Sequence, residues 1–556
     1  MSDKLEIIPL GGVGEFGMNC MLLRSGEDAI IIDAGMGFPE ERVYGVDLAI
    51  PNFEFLEPFR DQLLAVILTH GHEDHIGALA YLLKQFNIPV YGSELTIALT
   101  ESRLEEHDLL ANVLLHRVKA GEKIELGNFL IEFIHVTHSL IDCFALAITT
   151  PAGTIIHTGD YKIDETPVIG RPIDLAALKR YGDRGVLALF ADSTNSTVPG
   201  RTPSEREVIP AFEEIFTNAP GRIIVTTFSS SIHRLQVVFD VAARTGRKVC
   251  ALGRSIVKNI EIADRLGVLK ITDGIMIAPG EVKNLPPDEV VMLVTGSQGE
   301  PRAVLPQMAT GKYKGLVIEK GDTVIMSARI IPGNEHIISK VIGEVYKRGG
   351  NIFEEKRRTI HVSGHASQED MRIMVEAVRP KYLIPIHGES RMLYRHREYV
   401  RNHLGYAADR VILIEDGDHL ELDGDGFCIV NKYEISRTFI AETGFEEISS
   451  ETVRERKKLA FEGVVTAIVT LDSKSRKPVA SPEVATHGLI GMNGTNALGG
   501  YTRELQRVIG ESVESATHDE LRNTELLKEK VRLGLKRFIQ KRSGARPVIV
   551  SVVIEV

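Results

Sequence analysis

The stretch A-V-I-L-T-H-G-H-E-D-H-I-G, residues 65–77, decides how the rest of the chain is read. Ala65 to Thr69 are apolar or small and predict a short buried strand. His70, His72, Asp74 and His75 follow at once, and the apolar spacing from Ile76 to Phe86 predicts a helix. Four metal-capable side chains therefore crowd one strand-to-helix turn. Imidazole and carboxylate together suit borderline divalent ions such as zinc or manganese. One histidine here would read as part of a polar surface turn. Three histidines and an aspartate within six positions, directly after a buried strand, read as a metal site.

The chain has 556 residues, enough for several domains. Hydrophobic residues make up 43% and charged residues 25%, as in a soluble globular protein. No apolar run reaches membrane length, and the N-terminus lacks the pattern of a signal peptide. Cys20, Cys143, Cys250 and Cys428 are far apart and form no CxxC, so neither a disulfide framework nor a zinc–thiolate site is indicated. A cytoplasmic protein with no membrane partner is the expectation. The formal net charge of −11 disfavours a polyanionic substrate unless bound metal and clustered Lys/Arg supply local positive potential.

Outward from the opening stretch, the same theme recurs. Strand-like runs end in Asp33, His138, Asp160 and Asp192. Such ends converging on one rim would build a site. After Pro199-Gly200 continuous apolar strands alternate with helices, one of them expected over 231–244, which predicts a parallel sheet covered on both faces. The histidine-ended strands return at 359–367 and 381–389. Residues 431–457 read as a polar linker. A tail follows, with a β-run at 463–471, one long helix near 512–542 and a final strand. His135 and His157 sit three residues before His138 and Asp160. An odd offset on a strand faces the other way, so both read as structural.

Asp33, the H-G-H-E-D-H block at 70–75, His138, Asp160 and His387 resemble the metallo-β-lactamase superfamily. The insertion after Asp192, with His365 and His387 beyond it, resembles the β-CASP nuclease branch. D-S-T-N at 192–195, T-F-S-S-S-I-H-R at 227–234, P-G-N-E at 332–335, H-V-S-G-H-A-S-Q-E at 361–369 and P-I-H-G-E at 385–389 narrow the likeness to bacterial ribonuclease J over nearly the whole chain. The resemblance implies an α/β fold: a metallo-β-lactamase αββα sandwich, an inserted parallel α/β β-CASP domain and a small C-terminal α+β domain. The expected bounds are 1–199 for the first part of the sandwich, 200–350 for the insertion and 351–430 for the return. The linker at 431–457 and an oligomerisation domain at 458–556 complete them.

It also implies two metals per subunit, zinc with manganese or magnesium as substitutes. His70, His72 and His138 would hold one, and Asp74, His75 and His387 the other, with Asp160 between them. Two cations about 3.5–4 Å apart can share a hydroxide and clamp both oxygens of a phosphodiester. Asp33 is expected to support ligand histidines rather than bind metal. His365, with Asp192, is implied in transition-state stabilisation and protonation of the leaving 3′ oxygen. Ser229, Ser230 and Ser231 read on their own as helix caps. The resemblance turns them into a pocket for a 5′-monophosphate, completed by His361, Val362, Ser363, Gly364 and His365. It further implies a structural divalent ion, calcium, at the Gly45 carbonyl, Asp47 and Glu447. Ile141 departs from the family's usual proline, which bears on loop rigidity. Basic residues from Lys528 to Arg542 read as a solvated helix face.

The function this implies is hydrolysis of RNA by a two-metal-activated hydroxide. It would be a 5′-to-3′ exonuclease preferring 5′-monophosphate ends, with endonuclease activity, in rRNA processing and mRNA decay. Partners would be single-stranded RNA 5′ ends, a second copy in a homodimer or homotetramer, and components of an RNA-degradation complex. The rivals are a lactone, ester or thioester hydrolase on the same metal scaffold and a non-catalytic RNA-binding scaffold.

Overall fold

The strand expected at the start of the histidine-rich stretch is Leu63–Ile67, running parallel to Asp28–Ile32. The helix expected from Ile76 starts earlier and is broken into Glu73–Ile76 and Leu79–Gln85. His72 is the N-cap of the first piece but makes no side-chain cap, so its ring is left for other partners. In this computed structural model the described residues are 4–39, 45–46, 48–313, 315–331, 333–354, 358–441, 447–489 and 495–556. The chain divides into two compact units, Met1–Gly37 with Ile50–Ser436, and Phe38–Ala49 with Arg437–Val556.

In the larger unit an eight-stranded sheet runs in the order Phe427–Lys432, Asp418–Leu422, Leu5–Gly11, Cys20–Ser25, Asp28–Ile32, Leu63–Ile67, Val90–Gly92, Leu115–Arg117. A six-stranded sheet runs Tyr382–Ile386, Ala188–Asp192, Gly153–His157, Cys143–Thr150, Phe129–Val136, Lys123–Leu126. One core joins them: Ile7, Ile30, Ile32 and Ile67 of the first meet Phe133, Leu146, Phe190 and Ile384 of the second. Each such side chain, fully buried, contributes about 1.5–3 kcal/mol of hydrophobic stabilisation. This is the expected sandwich. Gly153–His157, Ala188–Asp192 and Tyr382–Ile386 are mutually parallel. Phe129–Val136 is antiparallel to Cys143–Thr150, which is antiparallel to Gly153–His157, so it shares their sense. Their C-terminal ends, where the acidic and imidazole side chains lie, therefore share one rim.

The insertion is a five-stranded parallel sheet, Lys248–Leu252, Val290–Val294, Ile223–Thr226, Thr323–Met326 and Asn351–Phe353. Its last strand lies just past residue 350. It has its own core, including Ile224, Met292, Leu305 and Val324. The helix expected over 231–244 is Ile232–Arg244.

In the smaller unit, the stretch 431–457 expected as linker carries the strands Arg437–Ile440 and Glu447–Ile448 and the start of the helix Ser450–Glu462. Ser449 caps that helix by accepting from the Thr452 amide at 3.1 Å, and Val453 is buried beside Val46. Apart from Val453 its residues up to 457 are polar, which is why that stretch reads as linker. Val464–Leu471 pairs parallel with Val548–Glu555 and antiparallel with Glu483–His487. The single helix expected near 512–542 is three: Thr495–Glu514, His518–Arg522 and Thr524–Ser543. Thr517 and Glu520 form a capping box, and Asn523 caps the third helix, so each break satisfies its own free amides.

Candidate metal centre

Asp33 follows its strand in a left-handed conformation, φ 57°. Its carboxylate accepts from the Thr69 amide and hydroxyl, both at 2.8 Å, and from Nδ1 of His75 at 2.7 Å. That holds the turn after Leu63–Ile67 and leaves Nε2 of His75 facing inward. His138 is fixed the same way, Nδ1 donating to the Gly364 carbonyl at 2.7 Å. The approach is so close that a Cβ on Gly364 would lie 2.6 Å from His138 Cε1, so only glycine fits. His387, also left-handed at φ 53°, donates from Nδ1 to Asn19 Oδ1 at 2.8 Å.

With these nitrogens engaged, the others converge. Nε2 of His70 and Nε2 of His138 each lie 3.1 Å from Nδ1 of His72. Oδ2 of Asp160 lies 3.6 Å from Nε2 of His70 and of His138, and 3.4 Å from Nε2 of His75 and of His387. Among the described residues three donor groups result: His70, His72, His138 and Asp160; Asp74, His75, Asp160 and His387; and Asp192, His365 and His387. The first two share Asp160. Asp160 is buried, and its Oδ1 has no hydrogen-bond partner among the described residues. A buried carboxylate with one orphaned oxygen, ringed by imidazole nitrogens, is a donor set suited to divalent cations of the zinc type.

The electrostatics agree. Burial pushes His70 and His138 well below the ordinary imidazole value and His72 down to about 4. Burial would raise Asp160, but His387 and His75 reverse that and hold it well below the carboxylate range. Neutral imidazole beside an ionised carboxylate is the form that ligates metal. Burial would also lower His75, yet Asp160, Asp74 and Asp33 together raise it well above its usual value. The field that holds a proton there would equally hold a cation.

Beside this cluster Nδ1 of His365 lies 2.8 Å from Asp192 Oδ2 and 3.9 Å from Asp160 Oδ2. Burial would lower His365, but the Asp192 carboxylate outweighs it and raises the imidazole to about 9. Asn195, buried, donates to Ser363 Oγ at 2.8 Å and to the His365 carbonyl at 3.0 Å, and accepts from Arg329 at 2.8 Å. Asp192, Ser363, Gly364 and His365 are thus drawn together with His138.

The seryl triplet is joined less directly. Ser231 is the N-cap of Ile232–Arg244 without a side-chain cap bond, and Ser229 and Ser230 are half-buried in the turn before it. Arg234, on the helix's first turn, donates to the Ile360 carbonyl at 2.8 Å, next to His361 and Val362. Nδ1 of the half-buried His361 has no hydrogen-bond partner among the described residues. His135 Nε2 bonds the Arg171 carbonyl at 2.9 Å, and His157 Nδ1 accepts from the Gly159 amide at 3.1 Å; both have structural partners. Of the expected calcium residues, Asp47 lies outside the described residues. The Gly45 carbonyl accepts from the Arg456 guanidinium at 3.2 Å, and Glu447 is exposed. Asn19, Asn195, Glu205 and Arg234 escaped the sequence reading. Their signal lies only in partners far along the chain.

Models of known families match in succession. The metallo-β-lactamase superfamily matches residues 13–198, the β-CASP domain of ribonuclease J 220–345, a zinc-dependent metallo-hydrolase RNA specificity domain 354–411 and the ribonuclease J C-terminal domain 451–556. Among curated relatives, ribonuclease J of Synechocystis sp. is 37% identical over 99% of this chain and 86% of its own. Ribonuclease J of Thermus thermophilus is 37% identical over 100% and 96%, and ribonuclease J2 of Bacillus subtilis 34% over 100% and 99%. A solved protein of unknown function from Enterococcus faecalis V583 shares the fold, with TM-score 0.53 and 15% identity over 75% of this chain and 100% of that one. With successive family models along its length and relatives this similar from end to end, the chain belongs to the ribonuclease J family.

Proposed function

We propose that this chain, a metal-dependent ribonuclease, degrades RNA from 5′-monophosphorylated ends in the 5′-to-3′ direction and also cleaves internally, releasing 5′-nucleotides in the first mode. The observation that carries the reading is the single oxygen of Asp160, 3.4–3.6 Å from four imidazole nitrogens of two donor groups and 3.9 Å from His365. Two divalent cations bound there, zinc with manganese or magnesium as substitutes, supply Lewis acidity and an activated water at neutral pH. Asp160 balances their charge, while Asp33 and the Gly364 carbonyl set which ring nitrogen each histidine presents. His365, held protonated by Asp192, stabilises the scissile phosphate and donates its proton to the leaving 3′ oxygen. Ser229, Ser230 and Ser231 at a helix N-terminus, with His361, Val362, Ser363, Gly364 and His365, receive the terminal 5′-phosphate.

The RNA-specificity and β-CASP matches favour RNA over a small ester or lactone, and the complete donor groups favour an enzyme over an inert scaffold. We place it in RNA maturation and decay in the cytoplasm, acting as a homodimer or homotetramer. The test is a time course on one internally labelled RNA carrying either a 5′-monophosphate or a 5′-hydroxyl, with EDTA and Mn²⁺ controls. Mononucleotides released faster from the monophosphate, and silenced by EDTA, are expected. Equal rates on the two ends remove the phosphate pocket, and turnover in EDTA removes the metal mechanism.

A further inference from the structure

One side chain outside the expected set touches three of the four residues of one donor group, Asp74, His75 and His387. Asn19 precedes the strand Cys20–Ser25 and follows Met18, which is left-handed at φ 53°. Its Nδ2 donates to the Asp74 carbonyl at 3.0 Å and lies 3.1 Å from Nε2 of His75, and its Oδ1 accepts from Nδ1 of His387 at 2.8 Å. The backbone is tied to the same turn: the Asn19 amide donates to the Asp74 carbonyl at 3.1 Å, and its carbonyl accepts from Gly35 at 2.9 Å. Gly12 closes the other side, where a Cβ would stand 2.4 Å from Oδ1. Among the described residues, no hydrogen bond joins Asn19 to His70, His72 or His138.

The amide's orientation follows from its partners. The Asp74 carbonyl only accepts, so the NH₂ edge faces it and Oδ1 faces His387. An acceptor at Nδ1 fixes the proton there and leaves the Nε2 lone pair of His387 turned to Asp160 Oδ2, 3.4 Å away. The other group is oriented without Asn19, through the Gly364 carbonyl on His138 and the Thr69 hydroxyl, 3.1 Å from Nδ1 of His70.

We propose that Asn19 is a positioning residue for one cation position of the two, so that its loss weakens binding at Asp74, His75 and His387 while the His70, His72 and His138 position stays filled. The inference rests on the two-cation reading of the site. Supporting partners of this kind typically govern 10–100-fold in metal affinity.

The test is equilibrium dialysis of the full chain, stripped by chelator, against a series of free zinc concentrations, with bound zinc measured directly. Wild type is expected to take up two zinc ions. Asn19→Ala and Asn19→Leu should fill one position at the wild-type concentration and the second only at 10–100-fold higher zinc. Two positions filling as in wild type, or both weakening equally, overturns the proposal. So does loss of fold by both variants in the zinc-free form, read by circular dichroism, since Asn19 would then be structural. Wild type that binds fewer than two zinc ions overturns the two-cation reading instead, and the two failures are told apart by that control.

Discussion

In the proposed mechanism the proton chemistry falls to Asp192 and His365. Asp192 is fully buried and spends Oδ1 on the Thr194 amide and hydroxyl, at 2.9 and 2.8 Å, leaving Oδ2 for His365. His365, raised to about 9, keeps its proton at neutral pH and can give it to a leaving oxygen. We expect His365→Ala to lower kcat on RNA about 10²–10⁴-fold, the usual worth of a positioned general acid. Bound zinc should stay at the wild-type stoichiometry, because His365 belongs to neither of the two groups that share Asp160 and, in the proposed mechanism, spends Nδ1 on Asp192 rather than on a cation. Parallel RNA turnover and metal analysis check this, and zinc lost together with activity would make His365 a ligand. The candidate ligands could be read from sequence because strong metal-binding side chains stand at strand ends, and strand ends meet at a rim. Asn19 could not. An asparagine before a strand is ordinary turn chemistry, and its partners His75 and His387 lie 56 and 368 positions away.

Elements are joined by charges that periodicity does not reveal. Glu205 lies 3.3 Å from Lys162 and 2.7 Å from Arg234, and Lys162 is 3.7 Å from Asp164, all four side chains 1% exposed. The network ties the sandwich to the helix Ile232–Arg244 of the insertion and, through Arg234 and the Ile360 carbonyl, to the loop bearing His365. Burial would raise Glu205, but Lys162 and Arg234 bring it down to about 2. A depressed carboxylate stabilises the fold above its unfolded value near 4.5 and loses that contribution as pH falls towards 2. Arg234→Met leaves Glu205 with one partner and should destabilise the larger unit by about 3–5 kcal/mol. Calorimetry at pH 7 checks it, and an unchanged Tm refutes it. Histidines act in a higher window. Burial lowers His396 to about 4, so below about 6.5 the unfolded chain takes up a proton that the folded chain refuses. Stability must then fall as pH drops from about 6.5 through 4. In EDTA, His396→Asn should flatten the decline in Tm between pH 7 and 5, and an unaltered slope would place the acid sensitivity elsewhere. At this scale the strands and the insertion were legible, since buried parallel strands are apolar throughout. The helix Ser450–Glu462 and the breaks around Thr517 and Asn523 were not, because a mostly polar helix looks like linker and continuous helical periodicity hides its caps.

At the scale of the whole molecule, the smaller unit raises the question of assembly. Along Val464–Leu471 burial alternates strictly, and Val465, Ala467, Val469 and Leu471 pack on Leu505, Ile509, Leu527, Val531, Leu535 and Ile539. The opposite face carries Val464, Thr466, Ile468 and Thr470, in register with Val548, Val550, Val552 and Ile554 of the neighbouring strand. One face of a three-stranded sheet is thus sealed by helices. The other carries β-branched side chains on two strands, with Val550 44% and Ile554 43% exposed, and Glu483, Ala485 and His487 on the third. In the proposed homo-oligomer, the exposed β-branched patch on the first two strands is the candidate association surface. Self-association through one patch on both copies is the simplest closed arrangement. A carboxylate placed there must be desolvated in any such interface, yet costs nothing on a free surface. The double variant Val550→Glu, Ile554→Glu should therefore lower the mass measured by light scattering to that of a single chain, while its zinc content, set by residues of the larger unit, stays as in wild type. An unchanged mass would move the association surface to another face, and a loss of zinc with the mass would mean that assembly and the metal centre depend on each other.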